Sequence, residues 1–87
     1  MNKQWILPEE NAEGYIETSD GVLGIVNLSD PKSSVMLQAK IVPISEGQKW
    51  HRKTADKNGW FLFTNPHTGK VLMEDLLWND EANIDGN

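Results

Sequence analysis

The chain contains no cysteine, so neither disulfides nor thiolate-held zinc can supplement its core. Long apolar runs are missing as well. The longest near the start, Trp5-Ile6-Leu7, is too short for a secretory leader, and no stretch approaches the length of a membrane span. Positive charge is scarce: 8 Lys and Arg stand against 13 Asp and Glu, for a net charge of −5 and a sequence pI near 4.8. That balance excludes a general phosphate-backbone binder, which depends on clustered Lys and Arg. Sustained apolar spacing of the i, i+3, i+4 kind is absent, so no long helix is expected. The one helical-turn candidate is Glu74-Asp75-Leu76-Leu77-Trp78, which reads equally as a strand end. Together these absences predict a cytoplasmic protein with neither a nucleic-acid nor a membrane partner.

Short strand-like runs divided by turn chemistry make up what remains. Trp5-Ile6-Leu7 is stopped by Pro8 and the acidic run that follows it. Gly14 to Thr18 reads as a strand, Ser19-Asp20-Gly21 as a turn, and Val22 to Val26 as the returning strand of a hairpin. Asn27 to Ser34 is a loop broken at Pro31, and Val35 to Val42 is a third run, ended by Pro43. Gln48-Lys49-Trp50 opens a fourth strand, and Asp56-Lys57-Asn58-Gly59 turns into Trp60-Phe61-Leu62-Phe63. In Asn65-Pro66-His67-Thr68-Gly69 the Asn opens a turn, Pro presets φ, and Gly closes it before Lys70-Val71-Leu72-Met73. About seven short antiparallel strands at this spacing predict an all-β fold. With 87 residues one domain is expected, over residues 1–78, followed by an acidic flexible tail over 79–87.

The chain also echoes itself. Trp5, Gly14, Tyr15-Ile16 and Val22-Leu23 recur as Trp50, Gly59, Trp60-Phe61 and Val71-Leu72, at an offset of about 45 residues that lengthens after the second turn. Trp50, Trp60, Leu23 and Leu72 are the expected core, with Trp5 and Trp78 half-buried.

The order of these elements resembles the ricin B-type β-trefoil lectins, whose leaves carry a Gln-x-Trp signature. Gly21, Val22, Leu23, Val35, Leu37, Gln48, Trp50, Gly59, Phe61, Asn65, Gly69, Val71 and Leu72 carry the resemblance, which spans about residues 4–73. It implies a partial or abridged β-trefoil-like barrel and a non-catalytic, carbohydrate-binding role without a cofactor. The sugar-site positions of that family fall here on Gly24, Gln38 and Gly47, so the usual aspartate, aromatic and asparagine are all replaced. Asn27, Gln38 and Gln48 are then the candidate ligand-binding residues, able to line a shallow polar pocket of a different kind. The alternative is a protein-interaction or inhibitor module whose loops 27–34, 43–47 and 64–69 contact a partner.

Other motifs read as scaffold. Lys49 to Lys53 mixes basic and aromatic residues as single-strand nucleic-acid binders do, but beside a net charge of −5 it reads as a strand with Trp50 turned inward. His51 and His67 have no ligand partner at metal spacing, so no metal site is expected. No nucleophile–base pair, phosphate loop or paired carboxylates stand out, and no enzyme is expected. Three leaves of this period would need about 135 residues. A chain with fewer than two leaves leaves strand edges open. Self-association, as a dimer held by strands near Trp5 and Leu72, is therefore expected.

Overall fold

The computed structural model describes residues 5–54 and 61–73. Expectations for Gly59, Trp60, Trp78, the helical-turn candidate and the tail 79–87 lie outside the described residues. Within them the chain is all-β, with seven short strands: β1 (Glu13–Gly14), β2 (Glu17–Thr18), β3 (Gly21–Ile25), β4 (Val35–Gln38), β5 (Trp50–Arg52), β6 (Leu62–Thr64) and β7 (Val71–Met73). Every pairing is antiparallel. The strands form a four-stranded sheet in the order β1-β5-β6-β7 and a three-stranded sheet in the order β2-β3-β4. These pairings do not close a barrel. No helix among the described residues is long and apolar enough to cross a membrane.

One apolar core lies between the sheets. Ile16, Leu23, Ile25, Val35, Trp50, Phe63 and Leu72 are buried together, with Trp5, Leu7, Leu37 and Phe61 packed against them. Alternation explains the choice, because successive strand side chains point to opposite faces. On β4, Val35 turns inward and Met36 outward. Gly21 is required where β2 turns into β3. Its φ is +141°, and a side chain there would collide with the backbone carbonyl of Gln38.

Four expectations shift. The run Trp5-Ile6-Leu7, expected as a short strand, forms only the isolated bridge of Ile6 with Glu17, and the run Val35 to Val42 is a strand only as far as Gln38. The predicted strand Gly14–Thr18 is split: Gly14 pairs with Trp50 in one sheet, while Glu17 pairs with Val22 in the other. Tyr15 and Ile16 carry the chain between sheets. Gln48 does not sit on a strand but ends a 3-10 turn over Glu46–Gln48, closed by its N–H on the Ser45 carbonyl at 3.0 Å. The fourth strand accordingly begins at Trp50 and runs to Arg52.

The internal echo has a structural counterpart. Ile6 bridges Glu17, and Glu17 pairs with Val22. In the second half His51 pairs with Thr64, and Thr64 with Val71. Two meanders of the same connectivity result, in which Trp5, Ile16, Thr18, Val22 and Leu23 occupy the places of Trp50, Phe63, Asn65, Val71 and Leu72. Pairing thus sets Ile16 against Phe63, where sequence alone set it against Phe61. The second meander is longer between its first two strands, so a fixed offset cannot hold through both.

Candidate functional site

Gly24, Gln38, Gly47 and Gln48 converge on one spot. Gly24 lies in β3 and Gln38 at the end of β4, on neighbouring strands. The Gln38 side chain lies so closely across Gly24 that even a methyl group there would collide with its amide. Gly47 rests against the Ile25 carbonyl and the Leu28 side chain, which puts the 3-10 turn beside the same strand. Gln48 is buried, as a side chain on the inner side of that turn must be, and its amide is engaged throughout. Its Nε2 donates to Gln38 Oε1 and to the Ala39 carbonyl, and its Oε1 accepts the Ile41 N–H, each at 3.0 Å. A buried amide of this kind costs free energy unless its groups are paired. Here the pairing ties the end of β4 to the 3-10 turn. Gln38 keeps more freedom: it is half-buried, and its Nε2 reaches the Ile25 carbonyl only at 3.5 Å.

Asn27 stands apart from this pair. It is exposed and shapes its own loop, its Oδ1 accepting the Ser29 N–H at 3.0 Å and its N–H donating to Ser33 Oγ at 2.8 Å. Asp30 repeats the device, accepting the Lys32 N–H at 2.9 Å. The loop 27–34 is therefore held by its own side chains, and Lys70 Nζ fastens it to the second meander by donating to the Ser33 carbonyl at 3.0 Å.

Asn65 is the most connected side chain beside this region. Its Oδ1 accepts the His67 and Thr68 N–H groups at 2.9 and 2.8 Å, as an Asn opening a turn should. Its Nδ2 donates back to the Glu46 and Lys49 carbonyls at 2.7 and 3.0 Å. The sequence signals the turn but carries no sign of the second role. Outside this network, Glu46 bridges Lys49 Nζ at 3.5 Å and His67 Nδ1 at 3.3 Å. Both are exposed contacts of small energetic weight.

The basic-aromatic run on β5 is absorbed by packing. Trp50 is buried and its Nε1 donates to the Leu23 carbonyl at 3.1 Å. The Arg52 guanidinium lies 3.9 Å from the centre of the Phe61 ring, and its Nη1 donates to the Pro8 carbonyl at 3.2 Å. Leu23 and Leu72 are buried. Among the described residues no cluster of His, Asp and Glu could hold a metal ion.

Sequence reasoning gave no signal for an open cleft of about 360 Å³ lined by Glu13, Gly14, Tyr15, Ile44 and Lys49. Tyr15 forms its wall because its hydroxyl donates to the Ile41 carbonyl at 2.6 Å, while Lys40 Nζ lies 4.6 Å from its ring centre and reaches Glu17 at 3.2 Å. No family model, curated protein or solved structure matches the chain.

Proposed function

We propose that this chain is a non-catalytic binding module of ricin B-type lectin-like, β-trefoil-like design, which takes a carbohydrate on the surface around Gln38. The observation that supports the reading is the meeting of Gly24, Gln38 and Gly47 at one spot, beside Gln48 and above buried Trp50. Those are the positions the resemblance assigns to the sugar, and they lie far apart in sequence. Both glycines are buried, so of these positions only half-buried Gln38 meets solvent. Gln48 is committed to the scaffold, so the ligand's hydroxyls fall to Gln38, whose long contact to the Ile25 carbonyl exchanges at little cost. A single half-buried amide predicts weak binding, because affinity follows several well-placed polar groups rather than mere contact.

Titration with simple galactosides and polysaccharides, followed by tryptophan fluorescence, tests this. Trp50 is a suitable reporter, since its indole bonds the carbonyl adjacent to Gly24. Saturable quenching that weakens in Gln38→Ala supports the proposal. No response to any sugar at millimolar concentration sinks it.

A second reading, a protein-interaction or inhibitor module, has its own support in exposed Val26, Leu28, Met36, Ile41 and Val42. Val26, Leu28, Ile41 and Val42 lie on or next to the loops 27–34 and 43–47 and Met36 lies within β4, and apolar side chains in contact with water there favour a protein partner. Loss of a captured partner on Leu28→Asp, with sugars silent, would favour it.

A further inference from the structure

The two meanders share a connectivity, yet equivalent positions on their last strands meet different surroundings. In the first, Val22 is 0% exposed; its counterpart Val71 is 46% exposed. The hydrogen-bond alternation explains the difference. In an antiparallel ladder successive residues aim their N–H and C=O groups at opposite neighbours. Leu23 N–H bonds the Ile16 carbonyl, so Leu23 faces β2 and Val22 faces β4, where it pairs with Gln38. Asn65 N–H bonds the Lys70 carbonyl. By the same alternation Lys70 and Leu72 face β6, while the N–H and C=O of Val71 face outward. β7 is an end strand of its sheet, and among the described residues no strand lies beyond it. Among the described residues nothing takes, in the second meander, the side that β4 takes in the first.

Edges of this kind are commonly guarded by a charged side chain. Lys70 does not guard this one, because its ammonium is drawn back to the Ser33 carbonyl at 3.0 Å. What remains is a short extended edge with an apolar Val71 at its middle and both backbone groups outward.

We propose that this edge pairs with the same edge of a second copy of the chain. Two β7 strands meet antiparallel about a two-fold axis at Val71, where each Val71 N–H donates to the other's carbonyl. A strand edge is self-complementary under this operation, and isologous two-fold contacts are the commonest closed form of assembly. Pairing of β7 with β7 joins the two four-stranded sheets into one continuous sheet. It also lays the exposed Val71 side chains side by side, as directly opposite residues on one face must lie. The proposal is independent of any sugar site. The interface is small next to the standard size for stable complexes, and each copy carries −5, so dissociation falls in the micromolar-to-millimolar range at physiological ionic strength.

Sedimentation equilibrium of the full chain over that range, paired with amide exchange at Val71, tests the proposal. The expected result is a mass rising from 9.8 kDa toward twice that value, with Val71 exchange slowing in parallel. Val71→Lys, at a side chain already in contact with solvent, weakens dimerisation by about tenfold or more, an order set by loss of one apolar contact and introduction of facing like charges. Its melting temperature in dilute solution stays close to that of the parent. Three results overturn the proposal. One is a 9.8 kDa mass at every concentration. Another is Val71 exchange that is slow even in the monomer, which would mean that the chain's own residues cover the edge. The third is association in which Val71 stays fast-exchanging, which would place the contact elsewhere.

Discussion

Trp5 and Trp50 head meanders that run the same way, but their indoles end differently. Trp50 is buried with its Nε1 on the Leu23 carbonyl. Trp5 is half-buried and its Nε1, itself out of contact with solvent, has no partner among the described residues. The same contrast recurs at the turns. Asn65 is buried with both ends of its amide bonded, while the equivalent Thr18 is buried with a hydroxyl that has no partner among the described residues. The apolar pattern is thus used twice, while at these two pairs of positions the polar atoms are completed only in the second meander, where Arg52 Nε is the one buried side-chain polar atom left without a partner among the described residues. Apolar burial sets where a meander can sit, because it is non-directional and scales with area. Satisfied polar atoms set which meander can least tolerate change, because removing one partner strands the other.

Truncating the two tryptophans should separate the meanders most widely. Trp50→Ala is expected to cost about 3–5 kcal/mol through lost transfer energy and a cavity. Trp5→Ala, at a half-buried site with no indole hydrogen bond, is expected to cost about 1–2 kcal/mol. Urea denaturation measures both, and equal losses would dissolve the contrast. The turn residues come next. Asn65→Ala frees carbonyls at residues 46 and 49 and amides at 67 and 68, and is expected to cost about 2–3 kcal/mol. Thr18→Val removes a hydroxyl that has no partner among the described residues and is expected to be neutral or stabilising by up to about 1 kcal/mol. A destabilised Thr18→Val would show that this hydroxyl has a partner in solution. The smallest difference lies on the last strands. Val22→Thr buries a new hydroxyl for a cost of about 1–2 kcal/mol, whereas Val71→Thr should stay within about 0.5 kcal/mol. Thermal melts of dilute protein suffice to tell them apart.

Turns were the most legible features of the sequence, because their chemistry is local. Ser19-Asp20-Gly21 and Asn65 to Gly69 turn where expected, each with a Gly at positive φ. The all-β class followed from strand spacing. Sheet membership did not, since alternation specifies the faces of a strand and not its neighbour. Gly14 to Thr18 therefore reads as one strand yet serves two sheets. At the candidate site the residue types were visible and their relations were not. Gln38 and Gln48 are brought into contact, while Asn27 remains in its own loop. Nothing local announces that Gln48 will spend its whole amide on residues 38, 39 and 41. The reach of Asn65 to Glu46 and Lys49 is equally silent, because a side chain's distant partner is fixed by tertiary packing.

The passage of Tyr15 and Ile16 between sheets bears on the order in which the molecule assembles. The hairpins β2–β3 and β6–β7 close over short loops and carry little entropic penalty. The pairing of Gly14 with Trp50 joins distant stretches of chain and must wait until their ends are brought near. Glu13 and Gly14 then act as a late-closing latch. The residues behind the latch already belong to the first hairpin's sheet, so when it shuts it adds backbone pairing to the side-chain links of Trp50 with Leu23 and of Lys70 with Ser33.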